Sequence, residues 1–453
     1  MTTQVLWLRR DLRLADQPAL LAAASAAGGD GVVPLFVLDP ALLAPAGAPR
    51  VAFLLGSLRA LDAELRRHGP GLVVRSGRPE VVVPGVVEAA GAGGVHVSAD
   101  FGPYGAERDR RVEEALGEVP LVRTGSPYAV APGRLTTGSG TPYQVFTPYL
   151  RAWLEHGWRS PADSDAARVT WRGLPGEAIP ADPRLGDTVL PEAGEDAAQR
   201  AWAHFLDRRS TYDAERDRPA VEGTSRMSAY LKIGAVHPRT LLADLGPEDT
   251  AFRSELAWRD FYADVLHAHP ASARDYLRPQ LAGLPYVSGE LLEERLAAWA
   301  EGRTGYPLVD AGMRQLRGEA WMHNRVRMLV ASFLVKDLKV EWQHGARHFL
   351  RHLADGDLAS NQHGWQWAAG SGTDAAPYFR IFNPVTQSRR FDPDGDYLRR
   401  WVPELRDLGA QEVHEPWRLP DGPPNGYPRP IVDHAEERAA ALASYDELRR
   451  TTT

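Results

Sequence analysis

Residues 355–384 read DGDLASNQHGWQWAAGSGTDAAPYFRIFNP. The stretch combines two acids (Asp355, Asp357), an amide (Asn361), two tryptophans (Trp365, Trp367) and a small-residue run, GSGTD, that ends on Asp374. Tyr378, Phe379, Arg380 and Phe382 follow. Small residues let a large planar ligand come close to the backbone. Acids and an amide can hydrogen-bond its polar edge, and the aromatics can stack on a base or carry an electron. The same mixture also suits a helix with a tryptophan-rich core face, so the surrounding chain has to decide.

Working outward, the chain from about residue 196 to 453 is helical in pattern. Amphipathic segments at 197–209, 254–268, 289–300, 312–316, 321–336 and 345–353 predict an all-α domain. Residues 1–125 differ. Short apolar runs at 5–8, 32–38, 72–75, 95–98 and 121–123 alternate with helical patterns at 20–27, 52–68, 81–90 and 110–116. That alternation predicts an α/β domain with a doubly wound, five-stranded parallel sheet. Ligands on such sheets bind beyond the carboxyl ends of the strands. No GxGxxG follows the first strand, and GAGG at 91–94 reads as a turn. Residues 126–195, rich in Gly, Pro, Ser and Thr, read as a connector wrapped on the surface.

Composition narrows the function. A chain of 453 residues has room for two or three domains. Without cysteine it has no disulfide, thiolate metal site or Fe–S cluster. No run of about 18 apolar residues predicts a membrane span, no secretory leader is read at the N-terminus, and a cytoplasmic location is expected. The net charge of −7 argues against DNA binding over the whole surface, but local Arg clusters can still bind it. His344, His348 and His352 lie four apart on one helix pattern, yet no HExxH accompanies them, so no metal is expected.

Three further segments carry candidate chemistry. RDRPAVEGTSRMSAYLKIGAVHPR (216–239) offers a turn, hydroxyls and Arg226 at a helix start, where free N–H groups favour an anion. In SELAWRDFYADVLHAHP (254–270), Glu255 and Arg259 are four apart, with Trp258 on the same side. In WMHNRVRMLVASFLVKDL (321–338), Asn324, Arg325 and Met328 project to one side and Arg327 elsewhere.

Taken with 355–384, these segments resemble the DNA photolyase and cryptochrome family over nearly the whole chain, and within it the class I cyclobutane pyrimidine dimer photolyases. The resemblance implies FAD in the helical domain. Tyr212, Thr224, Ser225, Arg226, Met227 and Ser228 would meet its diphosphate and ribityl chain. Arg259, Arg327 paired with Asp355, Asp357, and Asn361 facing flavin N5 would complete the cofactor site. It implies a substrate cavity walled by Trp258 and Trp367, with Glu255 on the base edges and Asn324, Arg325 and Met328 lining it. The partner would be UV-damaged DNA, single- or double-stranded and without sequence preference, gripped by Arg325, Arg380, Arg389 and Arg390, and the protein a monomer. An electron relay would run from Trp365 to Trp342. Where its distal tryptophan is expected the chain has Leu284–Pro285–Tyr286, so either Tyr286 replaces it or the path ends elsewhere, while Trp299 of AWAEGRTGYP (298–307) reads as core. The first domain would carry an antenna pigment. DFGPYGAERDRRV (100–112) resembles users of 8-hydroxy-5-deazaflavin more than users of methenyltetrahydrofolate, with Arg50 and Asp100 as contacts. Gln362–His363 departs from the family pattern and is expected to alter the local turn. Two rival functions remain: a blue-light photoreceptor cryptochrome, opposed by Asn361 where plant cryptochromes carry Asp, and repair of the (6-4) lesion, opposed by Asn324 and Met328 where that branch carries His.

Overall fold

The computed structural model describes residues 2–373 and 380–452; Asp374, Tyr378 and Phe379 lie outside the described residues. Five strands, β1 (Gln4–Leu8), β2 (Val32–Leu38), β3 (Val73–Ser76), β4 (Gly94–Val97) and β5 (Leu121–Arg123), form one sheet in the order β3-β2-β1-β4-β5. Every pairing is parallel. Both β1 and β2 are buried along their whole length, which is why they read as continuous apolar runs and not as an alternation. The two-residue side-chain period still sorts them. Leu6 and Leu8 pack with Leu20, Phe53 and Leu58 on one face, while Val5 and Trp7 pack with Val83, Val86 and Val112 on the other. Strand order reverses at β1, so a crevice opens between the carboxyl ends of β1 and β4.

The first of those two core faces runs on into the helical half, through Trp153, Trp202, Phe205, Leu256 and Phe261. Contact between the halves is close. Gly234 has φ +74°, and a Cβ there would lie 1.9 Å from the Arg10 carbonyl oxygen; beside it, Leu12 N donates to Ile233 O at 3.2 Å. A side chain at 234 would push the β1 loop off the helical half. The connector is pinned from both sides. Its helix Phe146–His156 buries Trp153, whose Nε1 donates to Asp260 at 3.0 Å, and Val32 bridges to Trp171.

Helices Gly289–Glu301, Pro307–Glu319, Trp342–His352 and Leu358–Ala369 frame the second core, while Thr250–Ala268 gives Phe252, Leu256 and Phe261 to the first. Two expectations are corrected. The segment at 312–316 belongs to the longer helix Pro307–Glu319, opened by proline at its first position. The single helix expected over 321–336 is divided. It starts at Asn324, where the His323 ring accepts from Arg325 N at 3.2 Å, and ends at Ser332. A π-turn, Phe333–Asp337, follows. The extra residue of that turn carries Lys336 and Asp337 inward, where Lys336 Nζ donates to Arg380 O and Asp337 pairs with His434. Among the described residues no helix is long and apolar enough to cross a membrane, and no group of three or more His, Asp or Glu is placed to hold a metal.

Burial pulls the imidazoles of His323 and His363 down to about 4 and that of His348 to about 3. The unfolded chain takes up these protons near the ordinary value of 6.5, and the folded chain refuses them until far lower. Their contribution is therefore whole above pH 6.5 and is lost as pH falls toward 4. Urea unfolding of His363→Gln, compared with wild type between pH 7 and 4.5, should show a pH dependence shallower by one proton, roughly 1.4 kcal/mol per pH unit. Parallel curves would show that His363 does not titrate on unfolding.

Candidate active site between cleft and relay

Helix Leu358–Ala369 organises the site. Asp357 caps it, accepting from Ser360 N at 3.1 Å. Asp357, Asn361 and Trp365 follow at four-residue steps, so they form one stripe along the helix. Burial would push the Asp357 carboxyl up, but Arg10, Lys232 and Arg259 outweigh it and hold it far below the usual carboxylate range. Arg10 makes the direct ion pair, at 2.8 Å. One turn on, the Asn361 amide donates to Ala346 O at 3.1 Å and to Gln362 Oε1 at 2.8 Å. Its carbonyl oxygen accepts nothing among the described residues. Gln362 and His363 do not form a turn. Both are buried within the continuous helix, Gln362 donating to Ala273 O at 2.6 Å and His363 stacking on Tyr262 at 5.8 Å.

Trp365 is buried, and its indole N–H has no hydrogen-bond partner among the described residues. Its ring seats on Gly345, where a Cβ would come within 2.1 Å of it. Gly345 sits in the helix that begins at Trp342, so the two tryptophans ride on packed helices. Trp299, read as core, is fully buried; it donates to Val330 O at 3.0 Å and meets Trp365 edge-on at 5.9 Å. Beyond Trp342 stands Tyr276, perpendicular at 6.0 Å, its hydroxyl donating to Glu341 Oε1 at 2.9 Å, with the Tyr286 phenol beside it.

The arginines divide by partner. Arg327 forks onto buried Asp355 at 3.2 and 2.8 Å and also donates to Met322 O. Arg325 forks onto Asp217 at 2.8 Å and lies over Phe391. Asn324 beside it is exposed and Met328 half-buried. Arg226, with φ +51°, turns to Glu319 at 3.1 Å and the Trp321 ring at 4.3 Å. Arg259 braces the connector: it donates to Pro127 O and Leu231 O and covers Tyr128. Arg389 pairs with Glu415, Arg390 lies over Phe391 and Arg380 over Trp367. Helix periodicity gave a face for Arg325 and Arg327, and the long-range acids Asp217 and Asp355 chose their partners.

Glu255 is half-buried and ion-paired to Arg216 at 2.5 Å. Trp258 is stacked on Phe146 at 3.7 Å and 10°, which takes one face of the indole. Trp258 and Trp367 are both half-buried on neighbouring helices. Arg216, Asp217, Phe146 and Tyr276 were not singled out by sequence. Arg216 and Asp217 open the 216–239 segment, and their acid–base pairing with Glu255 and Arg325 was the available signal.

FAD fits this arrangement by its unused polar groups. The Asn361 oxygen and the hydroxyls of Thr224 and Ser228 have no partner among the described residues, and Ser225 Oγ accepts a long 3.4 Å bond from Met227 N. Tyr212 packs on Phe205 and Phe252 beneath them, Met227 is buried, and Ser228 opens the short helix Ser228–Ile233.

A second cavity of about 920 Å³, its mouth included, opens at the carboxyl ends of β1 and β4. Trp7, Phe101 and Tyr128 line it with Arg10, Asp100 and Lys232, and Asp357 closes its floor. Asp100, held at about 2 by Arg10 and Arg108 against the effect of burial, pairs with both. Lys232 has no acid within ion-pair distance among the described residues, and burial together with Arg10 draws its ammonium down to about 8. Arg50 stands off the lining and donates to Gly356 O at 3.3 Å.

Sequence and structure comparisons agree with this geometry. The profile described as DNA photolyase matches residues 4–167, and that described as FAD binding domain of DNA photolyase matches residues 252–447. The chain is 40% identical to the deoxyribodipyrimidine photo-lyase of Escherichia coli, over 99% of this chain and all of that one. It is 43% identical to the Streptomyces griseus protein of the same name, over 97% and 98%. A bacterial class III photolyase from Agrobacterium tumefaciens superposes with a TM-score of 0.92 at 35% identity, covering 99% of this chain and 98% of the other.

Asp357→Ala removes a helix cap and leaves the buried Arg10 charge with only its longer pairing to Asp100, at 3.7 Å. Urea unfolding should show a loss of roughly 3–5 kcal/mol, and the Arg10→Met/Asp357→Ala pair should lose less than the sum of the single changes. Strict additivity would show that the pair is not coupled.

Proposed function

This chain belongs to the DNA photolyase family, and we propose that it repairs cyclobutane pyrimidine dimers in DNA under blue light. The observation that carries the proposal is the stripe of Asp357, Asn361 and Trp365 along one helix, which runs from the cavity past an amide oxygen without a partner among the described residues to the buried Trp365. FAD, when bound in its reduced form, supplies the electron that opens the dimer. The protein binds, orients and excludes water. Thr224, Ser225, Ser228 and Tyr212 would hold the cofactor's phosphate and sugar side. Asn361 would face its ring, with the Arg327–Asp355 pair and Asp357 fixing the walls. Asn361 carries no acidic proton, which supports a repair enzyme over a photoreceptor.

A dimer cannot be reached inside stacked DNA, so it has to be flipped into a pocket. Trp258 and Trp367 would receive it. Glu255 would meet the base edges, and Arg216, its partner at 2.5 Å, adds donors that a carboxylate lacks. Asn324 and Met328 stand where the (6-4) branch has His and favour the cyclobutane lesion. Arg325, Arg380, Arg389 and Arg390 would grip phosphates without sequence choice; Arg325 and Arg389 would exchange Asp217 and Glu415 for phosphate. The cavity between the halves suits an antenna pigment, and 8-hydroxy-5-deazaflavin is the reading that 100–112 supports over methenyltetrahydrofolate. Asp100 and Lys232 would be its polar contacts, with Arg50 behind them. We place the protein in the cytoplasm as a monomer.

The deciding assay is repair of a defined thymine dimer, in single-stranded and duplex oligonucleotide, by chemically reduced protein. Blue light should remove the cyclobutane dimer and leave a (6-4) substrate intact. Loss of neither lesion, with FAD bound, overturns the proposal. Glu255→Ala should keep FAD and repair fewer dimers per absorbed photon; an unchanged yield removes Glu255 from the site. Separately, Trp365→Phe should abolish light-driven reduction of the oxidised cofactor, read by absorbance. Normal reduction would show that electrons enter by another path.

A further inference from the structure

We propose that Tyr276 is the redox-active residue that follows Trp342, and that Glu341 takes its phenolic proton. The inference deepens the relay reading above and rests on it. Trp342 is fully buried and its N–H has no hydrogen-bond partner among the described residues. Once oxidised, it can neither reach water nor hand its proton to a neighbour, so it stays a strong oxidant until another residue supplies an electron. Tyr276 meets it edge-on at 6.0 Å. The Tyr276 hydroxyl donates to Glu341 Oε1 at 2.9 Å, and Glu341 is the residue directly before Trp342. Electron acceptor and proton acceptor are therefore adjacent in the chain and flank one phenol.

The step balances. FAD, when bound and oxidised, would supply the oxidising equivalent under light, and Trp342 would receive it as the indole radical cation. Tyr276 gives one electron to Trp342, which returns to the closed-shell indole. The O–H bond of Tyr276 breaks, and its proton bonds to the Glu341 carboxylate. A neutral tyrosyl radical and a neutral carboxylic acid remain, until an external thiol returns the electron and Glu341 the proton. At rest the phenol is held protonated by burial, Tyr286 and Glu341, so the proton has to leave with the electron.

Tyr286, the sequence candidate, is placed differently. Its hydroxyl lies beside that of Tyr276 and donates to Leu281 O at 3.4 Å. A peptide carbonyl cannot take up a proton at neutral pH. Tyr286 can instead donate to the Tyr276 oxygen once that is a radical, which makes it a positioning residue.

Electron paramagnetic resonance and transient absorption of the illuminated, oxidised FAD-bound protein, without added thiol, test this. Wild type should give a neutral tyrosyl radical. Tyr276→Phe should lose it and lengthen the tryptophan radical's lifetime. Glu341→Gln keeps a hydrogen-bond acceptor but no base, and should slow tyrosyl formation roughly a hundredfold. Tyr286→Phe should retain the radical with an altered hyperfine pattern. FAD content and thermal unfolding of each variant confirm that it is folded. A radical that survives Tyr276→Phe and vanishes in Tyr286→Phe, or no tyrosyl radical in wild type, overturns the proposal. Dimer repair by chemically reduced wild type is measured in parallel, so that failure of the repair reading is seen separately.

Discussion

The ion pair between Arg10 and Asp357 holds this molecule in its working form. Its two residues lie 347 positions apart. One leaves the first strand of the sheet and the other caps the helix that carries Asn361 and Trp365. Neither charge stands alone, because Asp100 and Lys232 line the same cavity, with Arg9, Arg108 and Asp39 beside them. Burying such charges is expensive, and the gain is usually definition of position more than net stability. Here the position defined is that of one domain on the other. Gly234, which lets the β1 loop touch the helical half, and Arg259, which ties the connector to it, serve the same registration.

The division into two domains was legible because hydrophobic periodicity is local. The five strands fall within a residue or two of where apolar runs placed them, and their parallel pairing follows from the intervening helices. The helical half was readable as helical, but its breaks were not. The π-turn at Phe333–Asp337 depends on what Lys336 and Asp337 meet across space, and no propensity at 321–336 announces Arg380 O or His434. Gln362–His363 shows the converse. An unusual pair suggested an altered turn, yet the helix absorbs it because each side chain finds a buried partner.

Site residues were legible in proportion to how far their chemistry is local. Asp357, Asn361 and Trp365 stand at helical spacing, so one stripe could be read directly. The Arg327–Asp355 pair was anticipated, and a two-point fork of near-equal length forms. The resemblance assigned Arg226 and Arg259 to the cofactor, and it could not announce that Arg226 also reaches Glu319 and the Trp321 ring, or that Arg259 also donates to Pro127 O and Leu231 O. Tyr276 was missed because it lies in an irregular segment between two short 3-10 turns, where neither period nor motif marks it.

The stripe on Leu358–Ala369 also determines where the chain tolerates changes in length. Two four-residue steps at the helical rise span about 12 Å from Asp357 to Trp365. Inserting or deleting one residue there would rotate everything beyond it by about 100° and turn Trp365 away from its seat on Gly345. The stretch is a fixed ruler between the cavity and the relay. By contrast, 157–194 is mostly irregular and lies across the surface, so natural variation in chain length should gather there and spare the nine residues of the ruler.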